Sequence, residues 1–229
     1  MLQAFALGAI AQSSLILSGF LPFVVRIPDR IIGIIAGFGA GALIAAVAFD
    51  LVPEAVSLVE VALWFLVGAA IFIIADRIIE ERFGGDSGGG GPLGIVLGSV
   101  VDGVPESLIF GIQLATGIPL SVAFLFAVFV SNVPQALAPS AELKDTGWKL
   151  GRMLLMWGSV VLACGVASAL GFLAADSVDD VTGARAAAIA AGGLLAMLTA
   201  SLVPFAYQKG GSGAAVGTVV GFCASLAMS

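Results

Sequence analysis

Charged residues are so sparse in this chain that apolar runs long enough to cross a lipid bilayer lie between them. From Ser107 to Ala141 there is no Asp, Glu, Lys or Arg at all. Of the 229 residues, 60% are hydrophobic and 10% are charged, against roughly 25% charged in an ordinary soluble domain. One globular core cannot hide that much apolar surface, so lipid must be the solvent for most of this sequence. A membrane span takes about 20 mainly apolar residues. The runs resolve into helices near 4–25, 31–52, 58–76, 92–115, 119–141, 152–175, 184–206 and 211–228. The uncharged stretch after residue 106 is too long for one crossing, and Thr116-Gly117-Ile118-Pro119 is its natural break. No charged segment precedes the first run, which reads as a retained helix rather than a signal peptide. The expected fold is an all-α integral membrane bundle of eight transmembrane helices, with residues 1–229 forming one domain.

Charge placement tests that layout independently. Arg26 and Arg30 fall in the first loop, Arg77 and Arg82 bracket the end of helix three, Lys144, Lys149 and Arg152 surround the fifth loop, and Lys209 sits in the seventh. Only Arg185 belongs to an even-numbered loop, beside Asp176, Asp179 and Asp180. Eight of the nine basic residues therefore share one side, which the positive-inside rule makes cytoplasmic, with both termini extracytoplasmic. A missed or extra helix would scramble this alternation. The net charge of −6 argues against nucleic acid as a partner. Glu80 to Gly91 is a Gly-rich segment expected to be a flexible cytoplasmic linker at 80–91. Gly37 and Gly41 form a small-xxx-small pair of the kind that lets helices approach closely. The two cysteines, Cys164 and Cys223, lie in apolar stretches and suggest no disulfide framework, and there is no histidine.

The chemistry is concentrated in a short pattern ending in Val-Pro that recurs four times. Helix two carries Asp50-Leu51-Val52-Pro53-Glu54, and helix four carries Asp102-Gly103-Val104-Pro105-Glu106. Helix five carries Ser131-Asn132-Val133-Pro134-Gln135, and helix seven carries Ser201-Leu202-Val203-Pro204-Phe205. Each pattern sets two side chains four residues apart, on one helix face. Each also carries a proline, which cannot bond the carbonyl four residues back. A freed carbonyl beside paired oxygen side chains suits the dehydration of a cation. The motifs of helices four and five fall near mid-membrane, while those of helices two and seven fall near opposite faces. That disposition is expected of an inverted repeat, here helices 1–3 related to helices 6–8.

An ionised carboxylate at a helix centre costs about 2.5–3.5 kcal/mol on insertion scales. Asp102 and Glu106 are two such acids on one face, where like charges repel, and no Lys or Arg falls at their depth. They must hold a cation, carry a proton or face water. The blander readings differ by position. Ser131, Asn132 and Gln135 taken singly read equally well as interhelical hydrogen-bond partners. Asp50 and Glu54, close to the interface, could simply be solvated. Ser201 and Phe205 read as structural, and Cys164 as an apolar packing residue.

These motifs resemble those of the ZIP family of metal-ion transporters, whose members have His-Asn-x-Pro-Glu-Gly in helix four and a similar motif in helix five. Here Asp102 stands at the histidine position and Gly103 at the Asn position, while helix five keeps Asn132 and Pro134 but has Gln135 for glutamate. The run Ala42 to Ala55 is similar to the family's second helix, with Asp50 where histidine is common. The resemblance covers nearly the whole chain and implies a 3+2+3 inverted-repeat bundle in a cell membrane. It implies no prosthetic group and no enzymatic activity, but a divalent cation of the Zn²⁺, Mn²⁺ or Fe²⁺ class as substrate. The metal ligands it implies are Asp102, Glu106, Ser131, Asn132 and Gln135 at one midplane site, with Asp50 and Glu54 on the way in. A donor set made only of oxygen suits Mn²⁺, Mg²⁺ or Fe²⁺ better than zinc or copper. The other expected partner is the lipid bilayer, and a homodimer is left open. Two alternatives remain at this point: a degenerate relative moving another substrate or protons, and a non-transporting membrane interaction protein. An intramembrane aspartyl protease using Asp50 and Asp102 is disfavoured by their different depths.

Overall fold

The computed structural model describes residues 1–52, 57–83, 92–117, 120–176 and 180–229, and among these every regular element is helical. Helix α1 (Leu2–Phe23) is slightly broken at Ser13 and ends in a 3₁₀ turn at Leu21–Phe23. It is followed by α2 (Asp29–Phe49), α3 (Leu58–Phe83), α4 (Pro92–Thr116), α5 (Val122–Asp145) and α6 (Leu150–Asp176). Helix α7 is composite: Asp180–Met197, a π-helical turn at Leu198–Leu202, then Val203–Gly210. Helix α8 (Ser212–Leu226) closes the bundle. Among the described residues seven helices are long and apolar enough to cross a membrane, which makes this a multi-pass membrane protein. Helix α8 is apolar too, but its 15 residues rise only about 22 Å at 1.5 Å per residue.

The boundaries differ from the hydropathy reading at the ends of two helices. Helix α3 runs on to Phe83 instead of stopping at 76, so Arg77, Glu80 and Arg82 are helical and the expected linker begins later. Arg, Glu and Ile continue a helix readily after it has left lipid. Residues 84–91 of that linker lie outside the described residues. Helix α2 stops earlier than expected, at Phe49, with Asp50 at φ −107° and ψ −23° as its C-cap. The residue before a proline is pushed away from helical geometry, so Pro53 sets a limit on how far α2 can run.

Close backbone approaches at glycines assemble the bundle, as expected where lipid supplies no hydrophobic drive between helices. On α2, Gly37 and Gly41 face the backbones of Ala214 and Thr218 on α8 so closely that a Cβ would collide with them. Gly68 of α3 abuts Ile189 of α7, and Gly111 of α4 abuts Ser168 of α6 in the same way. The main pairings are α2 with α8, α4 with α6, α3 with α7, and α1 with both α5 and α6. Helix α2 also packs on α5 and α7, and α4 on α7. The central core joins Leu43, Phe110, Phe124, Leu194 and Leu198, with the Phe110 and Phe124 ring centroids 4.8 Å apart.

Polar contacts show which helix ends share a face. Lys209 pairs with Asp29 at 2.8 Å, and Lys144 Nζ donates to the Pro22 carbonyl at 2.7 Å. The ends of α1, α5 and α7 and the start of α2 thus meet on one side, the basic face. On the opposite face, Arg185 at the start of α7 pairs with Glu60 at the start of α3 at 2.7 Å.

Candidate functional site

Helices α4 and α5 run straight through Pro105 and Pro134, so their motif side chains keep the four-residue spacing expected of one face. Glu106 is 1% exposed, and its Oε2 accepts a 2.7 Å hydrogen bond from Nε2 of Gln12 on α1. Gln12 Oε1 in turn accepts from Asn132 Nδ2 on α5 at 2.8 Å. Three helices are therefore joined by one buried chain: Asn132 to Gln12 to Glu106. At its far end Asn132 Oδ1 is buried with no hydrogen-bond partner. Gly103 leaves the room this arrangement needs, because a Cβ there would stand 2.6 Å from Cys164 Sγ and 3.5 Å from Gln12 Nε2.

One helical turn away, Asp102 has a different setting. It is half-buried, and Gln135 Nε2 donates to its Oδ2 at 2.9 Å. Asp102, Ser131 and Gln135 line a cavity of about 460 Å³ between α5 and α7. Ser201 and Phe205 form part of its α7 wall, and Glu142, Gln208 and Lys209 line its end at the basic face. The π-helical turn, which ends two residues before Pro204, carries Ser201 on this wall. Ser131 donates to the Val128 carbonyl at 2.9 Å, and Ser201 to the Met197 carbonyl at 3.1 Å. Both hydroxyl hydrogens are thereby engaged, and each oxygen keeps lone pairs to offer.

The five residues expected to form one midplane site thus fall into two adjoining groups. Glu106 and Asn132 are sealed in with Gln12, whereas Asp102, Ser131 and Gln135 front the cavity. Asp102 and Glu106 lie about 6 Å apart along the helix axis and within electrostatic reach of each other. Asp76 of α3 is also within electrostatic reach of Asp102. Asp50 is separate from both groups: it accepts a 2.5 Å hydrogen bond from Ser121, which caps the start of α5. Asp50 is the C-cap of α2 and not part of the helix, and the expected pairing of its face with Glu54 falls outside what is described. Glu54 lies outside the described residues.

Among the described residues, no group of three or more Cys, Asp or Glu side chains is gathered closely enough to hold a metal ion. A cation site built from these described residues would draw on amide, hydroxyl or main-chain oxygens besides one or two carboxylates. The ion pairs seen, Arg185–Glu60 and Lys209–Asp29, are both at helix ends. Sequence reasoning missed Gln12. It is the only Gln, Asn or charged residue between Ala4 and Val25, which sets it apart but points to no partner. The chain matches no protein-family model, and no curated protein matches it.

Proposed function

We propose that this chain is a ZIP-like carrier that moves a divalent cation across the membrane by alternating access. The observation that carries the reading is the cavity that runs from the basic face to Asp102, with the buried carboxyl of Glu106 one turn further on. Burying a carboxyl group without a cationic side chain is costly. A site that takes its positive charge from a passing ion gives that cost a purpose. Asp102 and Gln135 exchange the ion with the cavity, and Glu106 with Asn132 forms the inner station. The donors are all oxygen, which favours Mn²⁺ or Fe²⁺ over Zn²⁺. By the positive-inside rule the cavity faces the cytoplasm, and Asp50 and Glu54 belong to the outer approach.

The helix pairings support an inverted repeat. If α1 is exchanged with α6, α2 with α7, α3 with α8 and α4 with α5, the pairing of α2 with α8 becomes that of α7 with α3. The pairing of α4 with α6 becomes that of α5 with α1, and that of α2 with α5 becomes that of α7 with α4. All of these pairings occur in the bundle. A set of contacts that maps onto itself in this way is what two repeats rocking about a central site require.

The test is uptake into proteoliposomes of Mn²⁺, Fe²⁺, Zn²⁺, Mg²⁺ and Cd²⁺. Saturable flux is expected, greatest for Mn²⁺ or Fe²⁺, and reduced at least tenfold by Glu106→Ala and by Asp102→Ala. Flux that survives both substitutions sinks the assignment. The lack of a multi-acid cluster among the described residues favours one second reading, a proton carrier. Proton flux in metal-free liposomes, with no cation flux, selects it.

A further inference from the structure

Gln12 stands out once the transport reading is in place, because it belongs to neither proline motif and yet binds both. Its side chain is fully buried. Its orientation is fixed from two sides: Nε2 donates to Glu106 Oε2 at 2.7 Å, and Oε1 accepts from Asn132 Nδ2 at 2.8 Å. Turning the amide over would set oxygen against the carboxylate and nitrogen against nitrogen, giving two repulsions in place of two hydrogen bonds. Gln12 therefore offers Glu106 a donor and withholds its own oxygen. A cation approaching that carboxylate oxygen meets a site already filled by an N–H group.

We propose that Gln12 is a built-in stand-in for the cation. Its amide N–H and the transported ion compete for the Glu106 carboxylate, so the carrier can change conformation with no ion aboard. The proposal rests on the transport reading above. A carboxylate stripped of any partner would have to change conformation bare or take up a proton, and a single unsatisfied charge inside the bundle is very unfavourable. A hydrogen bond from Gln12 to the charged group offsets part of that penalty. When an ion arrives, Gln12 gives up its bond to Glu106. The partnerless Asn132 Oδ1 is then an oxygen ligand with no hydrogen bond to lose.

Net uptake and exchange separate this role from ordinary ligation. Net uptake into ion-free liposomes requires the empty carrier to return, whereas exchange of labelled external Mn²⁺ for unlabelled internal Mn²⁺ does not. In Gln12→Met, which keeps the length and loses the donor, net uptake is expected to fall at least tenfold while exchange falls less than threefold. Gln12→Asn, one methylene shorter, is expected to show the same split and guards against a folding defect in the first variant. Parallel loss of both fluxes in the two variants, or little loss of either, overturns the role assigned to Gln12 while leaving the carrier reading intact. If the wild type moves no Mn²⁺ or other divalent cation in either format, the carrier reading itself fails and the role of Gln12 falls with it.

Discussion

A carboxyl group in the middle of a membrane protein takes its properties from the few atoms around it, and at Glu106 those atoms are arranged by a glycine. Gly103 lies on α4 one turn before Glu106, where a side chain would press on Cys164 Sγ and crowd Gln12. Cys164 is itself fully buried, so it has little freedom to move aside. Gly103→Ala is expected to cost about 1–3 kcal/mol of stability through overpacking, read as a lowered midpoint of thermal unfolding in detergent. Combining it with Cys164→Ala should recover much of that loss, because contacting residues couple in a double-mutant cycle. If the double variant is as damaged as the sum of its parts, the two residues do not share the space. Asp102 and Glu106 were legible in the sequence because an acid within an uncharged run has no bland explanation. Gln12 was not, because a lone amide in a membrane helix has no spacing to mark it. Its meaning comes from two other helices.

At the scale of elements, the recurrent Val-Pro pattern shows how far four similar strings can diverge. Helices α4 and α5 pass through Pro105 and Pro134 unbroken, α7 absorbs Pro204 by widening into a π turn, and α2 ends before Pro53 is reached. The letters predicted a freed carbonyl at each place. The outcome depended on what lay beyond: more apolar helix in α4 and α5, and the end of the span in α2. The small-xxx-small pair was easier to read, since Gly37 and Gly41 meet α8 as the spacing implies. At Gly41 the approaching atoms belong to the backbone of Thr218 and cannot rotate away. Gly41→Ala is expected to destabilise the protein by about 3 kcal/mol, the upper end for overpacking. Gly158→Ala is its control: a Cβ at Gly158 meets nothing within 4 Å, so alanine there should gain up to about 1 kcal/mol from helix propensity. Thermal unfolding of both variants side by side checks the pair, and equal effects would mean the close α2–α8 contact is not needed.

For the whole molecule, the one-sidedness of the cavity is the property most open to a direct check. Ser201 lines it and Cys223 is exposed, so a Cys223→Ser background carrying Ser201→Cys reports on access. A membrane-impermeant thiol reagent is expected to label this variant in inside-out vesicles and to leave it unlabelled in right-side-out ones. The reverse pattern would turn the topology over. Charge alternation in the sequence gives an expected sidedness, but the cavity itself was not legible there. Its walls come from residues 102 to 209, and no local pattern brings such distant segments together. That same remoteness governs how the chain is made. The glycine face of α2 is finished at Phe49, while its partner α8 ends at Leu226. At the usual pace of synthesis that interval is roughly 10 to 35 seconds. Until then α2 sits in the membrane with its closest-fitting surface uncovered, so every newborn copy depends on lipid or a chaperone to hold that surface until the last helix arrives.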